Sequence, residues 1–166
     1  MGLVDYWLDS NVFIEGEKWG GPYWLYPVPR FWISLNHMSD VGLLACPSMI
    51  YAELQDSRDG QPSWARERKK AGMFMDPDVA VQQEFQNICA YMIECYADNQ
   101  YRRRFLDRAE PWVIAHALGQ GGMVVTHKPR EPKTVSRVKI QDVCAHFGVR
   151  CIDVEQMFQY HGLSYT

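Results

Sequence analysis

The chain has 166 residues, 47% hydrophobic and 22% charged, with a formal net charge of -3. That length suits one domain with a sizeable core, and the composition excludes a disordered polypeptide. The net acidity excludes nucleic-acid binding through overall charge, so such a partner must meet local basic patches or metal ions.

Residues 4–8 predict a short buried strand that runs into Asp9 of "YWLDSNVFIEG". Ser10 and Asn11 follow, and then a new apolar patch begins. Two readings of Asp9 stay open at this point. It caps a helix that starts at once, or it stands at the carboxyl end of a strand, where open α/β sheets bind ligands. Residues 19–32 mix Trp19, Trp24 and Trp32 with Pro22, Pro27 and Pro29. Prolines forbid a long helix there, and the rings are expected to pack a satellite core rather than stack bases. A helix is expected at about 30–40, ending near Gly42.

A second strand is expected at 42–46, followed by a helix with Pro47 in its first turn. Ile50 and Leu54 share one face of that helix, with Glu53 beside them. "SWARERKKAGMF" reads as a charged helix. The next segment, from Met75 to Asp98, is the clearest helix, with Asp76 as expected cap, Pro77 as first residue, and Val81, Phe85, Ile88, Met92 and Ile93 at helical spacing. One or two helices follow, stopped by Gly121 and Gly122. "MVVT" is a strand, 138–147 a helix, "VRCID" a last strand and "VEQMFQYHG" a terminal helix. Strands alternating with helices predict a parallel sheet with helices on both faces.

The five cysteines are odd in number and form no CxxC pair, and the histidines form no HExxH. This points to reduced thiols in a cytoplasmic protein rather than disulfides or zinc. No signal peptide and no run of about 18 apolar residues is seen, so no membrane partner is expected.

Each acidic candidate has an ordinary explanation. Glu53 reads as a solvated helix carboxylate, and Glu110, before Pro111, as a helix-dipole partner. Together, "YWLDSNVFI", "MIYAEL" and "AEPWVIAHALGQGGMVVTHK" resemble a PIN-domain protein over nearly the whole chain. The closest similarity is to a bacterial PIN-like family long known only as a numbered domain of unknown function, whose last helix begins like "KIQDVCAHFGV".

The resemblance implies a Rossmann-like three-layer α/β/α sandwich with a mostly parallel sheet, and an Mg²⁺- or Mn²⁺-dependent ribonuclease acting as a toxin. It implies RNA as substrate, an antitoxin protein as partner and, as in many similar domains, a homodimer. It aligns Asp9, Glu53 and Glu110 with the acidic pattern as catalytic groups and metal ligands, Glu110 replacing the usual Asp. Lys128 stands at the fourth acidic position; Asp142 and Asp107 are candidate substitutes that the matching pattern itself does not supply. Ser10 and Asn11 are expected to orient ligands or waters, and Thr126 to donate to a carboxylate or phosphate.

Removing charge from such a repelling cluster, as in Asp9→Asn, is expected to raise stability slightly. The basic loop 127–139, with Lys128, Arg130, Lys133, Arg137 and Lys139, is expected to contact phosphate. The "RRR" at 102–104 is a second candidate patch, and 65–70 reads as an ordinary solvated face. A phosphatase with an aspartyl-phosphate intermediate is disfavoured, because Asn11 stands where its acid would be. A catalytically decayed scaffold that binds RNA or protein is the rival from another class, with Lys128 in its favour.

Overall fold

In the computed structural model, residues 3–17, 29–56, 62–127 and 138–163 are described. Five short strands form one all-parallel sheet: β1 (Tyr6–Leu8), β2 (Leu44–Pro47), β3 (Phe74–Met75), β4 (Met123–Val125) and β5 (Cys151–Ile152). Their spatial order is β3-β2-β1-β4-β5, with Tyr6 paired to both Leu44 and Met123. The chain therefore builds outward from β1 in one direction and returns to build outward in the other. The reversal falls between β1 and β4, and the carboxyl ends of strands at such a switch point are where open α/β sheets bind ligands.

Nine helices surround the sheet among the described residues: α1 (Asn11–Glu17), α2 (Pro29–Asp40), α3 (Ser48–Asp56), α4 (Pro62–Lys70), α5 (Val79–Cys95), α6 (Gln100–Asp107), α7 (Glu110–Gln120), α8 (Ile140–His146) and α9 (Val154–Tyr160). Right-handed crossovers put the helices of the two halves on opposite faces, the Rossmann-like three-layer sandwich expected from the element order. Aromatic contacts tie one layer together: Phe13 of α1 with Trp32 of α2 and Trp64 of α4, and Phe31 of α2 with Phe158 of α9. In the other layer, Phe85 of α5 stacks on Trp112 of α7 at 3.8 Å, and Tyr91 of α5 stacks on His146 of α8 at 3.7 Å. β1 is buried throughout, as a strand covered on both faces must be.

Several local expectations shift. Pro47 closes β2 instead of opening α3. It lies opposite Met75 of β3, and its missing N–H costs little at the last residue of a strand. β3 itself replaces the end of the expected charged helix; Cys46 N–H donates to Met73 O at 3.0 Å and recruits this segment to the sheet. The cap of α5 is Asp78, not Asp76, because its side chain accepts Val81 N–H at 2.8 Å. Asp78 also accepts from Gln120 at the end of α7, and these donors hold its carboxyl below the usual range. Ile93 is exposed, while Val81, Ile88 and Met92 are buried. Trp32 packs in a core as expected; Trp19 and Trp24 lie outside the described residues. No helix among the described residues is long and apolar enough to cross a membrane.

Gly122 fixes where β4 starts. Its φ is +104°, and a Cβ there would meet Val4 O at 2.8 Å and Asp5 O at 3.0 Å. The next residue's N–H donates to Asp5 O at 2.8 Å, so the backbones cannot separate without loosening the sheet. Gly122→Ala is expected to destabilise the protein by about 2 kcal/mol, from positive φ and overpacking together. Thermal denaturation should show the midpoint lowered by roughly 4–8 °C. An unchanged midpoint would mean that this approach is not a constraint.

Candidate active site

Asp9 directly follows β1 and is fully buried. Its backbone N–H continues the sheet by donating to Val125 O at 2.9 Å, which locks the residue between the two central strands. A buried carboxylate needs donors. Its Oδ1 accepts Ser10 N–H at 2.9 Å, and its Oδ2 accepts Asn11 Nδ2 and Thr126 Oγ1, each at 3.1 Å. Of the two readings of Asp9, the strand-end one describes its position. One of its donors, Thr126, comes from the end of β4, across the switch point.

Glu53 is not a solvated helix carboxylate. Its Oε2 accepts the Ser10 hydroxyl at 2.6 Å, and its Oε1 accepts Ala109 N–H at 2.8 Å. Ala109 is the N-cap residue of α7 and makes no side-chain cap of its own, so Glu53 satisfies this helix end from another part of the chain. Glu110 is the next residue, in the first turn of α7. Ser10 thus links Asp9 to Glu53, and Ala109 links Glu53 to the corner carrying Glu110. Three acidic residues far apart in sequence converge on one corner.

Neighbouring thiols register the same negative field. Cys144 on α8 is pushed far up by its hydrogen bond with Cys151, by burial and by the charges of Asp9 and Glu110. Cys46 at the end of β2 is pushed well up by burial and by Asp9. Both stay protonated at neutral pH and are poor nucleophiles. All five cysteines are thiols, as their spacing suggested.

The other expected residues fall differently. Asp142 is exposed on α8. It acts on Tyr96, whose hydroxyl is pushed up to about 12 by burial first, then by Tyr91, with Asp142 adding to it. Asp107 is exposed at the end of α6. Lys128, Arg130, Lys133 and Arg137 lie outside the described residues. The "RRR" patch divides. Arg102 donates to Tyr96 O at 3.0 Å and pairs with Asp98, and Arg103 pairs with Asp98 as well. Arg104 alone faces a cleft that also borders Asn11 and Glu110. In 65–70, Arg66, Glu67, Lys69 and Lys70 are exposed, as a solvated face requires, but Ala65 is buried and Arg68, its side chain 15% exposed, is held by Asp40 at 2.8 Å.

Among the described residues, no three His, Cys, Asp or Glu side chains are gathered as a ready-made metal cage. The donor chemistry still fits a hard cation: Asp9, Glu53 and Glu110 present only carboxylate oxygens, the ligands of Mg²⁺ and Mn²⁺. What sequence reasoning missed is the role of Ser10 as the bridge between two carboxylates, because its partner lies 43 positions away.

No curated protein and no solved structure matches the chain. The family model described as Domain of unknown function (DUF4411) matches residues 6–165. The match spans the sheet from β1 through β5 and every residue of the acidic corner, and the chain belongs to that family.

Proposed function

We propose that this protein is a PIN-like, Mg²⁺- or Mn²⁺-dependent endoribonuclease, acting in the cytoplasm as the toxin of a toxin–antitoxin pair. The observation that carries this reading is the hydrogen-bonded line Asp9–Ser10–Glu53 at the switch point, ending beside Glu110. Asp9, Glu53 and Glu110 would hold the cation. A bound divalent ion supplies Lewis acidity and a water of lowered pKa for attack on a phosphodiester.

The chain's own residues do the rest. Thr126 and Asn11 donate to Asp9 and fix its orientation. Ser10 holds Glu53 against it, so the two carboxylates do not splay under mutual repulsion. The N-terminus of α7 points its dipole at this corner and favours the accumulated negative charge.

A second reading is favoured by one observation. Both oxygens of Asp9 already accept hydrogen bonds from the chain itself, which suits a scaffold that binds RNA or protein without cleaving. Incubation of labelled single-stranded RNA with the purified protein, in Mn²⁺ and in EDTA, separates the two. Cleavage in Mn²⁺ that disappears in EDTA and in Glu53→Gln is expected. Intact RNA in Mn²⁺, with calorimetry showing no Mn²⁺ uptake, would favour the non-cleaving scaffold.

A further inference from the structure

We infer that the cleft between α6, α7 and the start of α1 is a phosphate-binding subsite that holds the RNA backbone next to the acidic corner, with Arg104 and Arg108 as its anion contacts. The inference rests on the ribonuclease reading for its substrate class. The cleft has a volume of about 280 Å³ and is lined by Asn11, Tyr101, Arg104, Phe105, Arg108 and Glu110 among others. That is just below the range of small-molecule pockets, about 300–1,000 Å³, and suits one nucleotide unit of a longer strand.

The charge pattern is specific. Asp98 pairs with both Arg102 and Arg103, and Arg102 also donates to Ile93 O and Tyr96 O near the end of α5. Arg104 and Arg108 are exposed, and neither side chain is held in an ion pair among the described residues. Two unengaged guanidinium groups on one cleft wall are a bidentate fit for phosphate oxygens. Tyr101 adds an aromatic face on which a base can stack.

Continuity supplies the link to the chemistry. Asn11 lines the cleft and donates to Asp9, and Glu110 lines it from the other end of the acidic line. A strand gripped by the arginines is therefore led along the carboxylates, and the cations offset the repulsion between phosphate and acid. A polyglutamate chain would meet the same arginines, but it has no ring to place on Tyr101.

The test is fluorescence anisotropy with a labelled single-stranded RNA in EDTA, using the full chain. Arg104→Gln/Arg108→Gln is expected to weaken binding about tenfold at 0.1 M salt. It should also flatten the log–log salt dependence by about 0.7 for each phosphate no longer neutralised. Arg104→Lys/Arg108→Lys should keep the salt slope, and Arg103→Gln, outside the cleft, should bind as wild type. Equal affinity and slope for the wild-type and Gln variants would overturn the subsite, as would a wild-type protein that binds no RNA. Displacement of RNA by polyglutamate at equal charge concentration would overturn the choice of RNA as ligand. The two readings fail separately. Mn²⁺-dependent cleavage with unchanged affinity in the Gln variant overturns the subsite alone. Loss of affinity in that variant, with no cleavage by wild type, overturns the ribonuclease and leaves the subsite standing.

Discussion

Asp9→Asn is expected to lower Mn²⁺-dependent RNA cleavage by at least about 100-fold, since even groups one step removed from a metal ligand cost about 10–100-fold when lost. Ser10→Ala, which removes the hydroxyl that holds Glu53 and keeps the backbone N–H donated to Asp9, should fall in that smaller range. Stability should move opposite to the expectation of relieved repulsion. Ser10, Asn11 and Thr126 all donate to the Asp9 carboxylate. An amide offers one oxygen and turns an NH₂ group toward donors. The Thr126 hydroxyl and Asn11 amide can rotate to accept, so the cost is partial, about 1–2 kcal/mol. Cleavage at the wild-type rate by folded Asp9→Asn protein would remove Asp9 from the chemistry. A raised melting temperature would show that repulsion outweighs the lost acceptor.

His116 sets the second large effect. It is fully buried in α7 at 4.5 Å from the Trp7 ring, and neither ring nitrogen has a hydrogen-bond partner among the described residues. Burial pulls its pKa down to about 4 from the ordinary 6.5, and the carboxylates of Asp78 and Asp76 offset this only in part. The folded protein therefore keeps His116 neutral, while the unfolded chain takes up a proton below pH 6.5. Stability from this group is complete above about 6.5 and is lost as pH falls towards 4, amounting to about 3 kcal/mol across that window. Denaturant unfolding at a series of pH values should show this loss in wild type. In His116→Leu, which keeps an apolar body against Trp7, the curve should be flatter over the same window. A His116 imidazole titrating near 6.5 by NMR would contradict the buried, neutral state.

Much of the fold could be read from residue order because its signals are local. A strand repeats every two residues and a helix every 3.6, so "MVV" before its loop and Val81, Ile88 and Met92 along α5 announce their elements without reference to the rest of the chain. Gly121 and Gly122 after α7 likewise stop a helix by backbone freedom alone. Alternation of such elements was enough for a parallel sheet between helices, and Asp9 after the first strand was enough to suspect its carboxyl end.

What depended on partners distant in sequence was decided only by tertiary packing. The two residues of β3 carry no period of their own and become a strand because β2 offers its edge. Ser10 chooses Glu53, and Glu53 chooses Ala109, across 43 and 56 positions; hydroxyl and carboxylate groups bond to whatever the packed backbone brings within reach. Three adjacent arginines look alike in sequence, but Asp98 takes two of them and leaves Arg104 to the cleft. His116 resembles any helical histidine until Trp7 and the sheet close over it and withdraw the water that would have kept its proton.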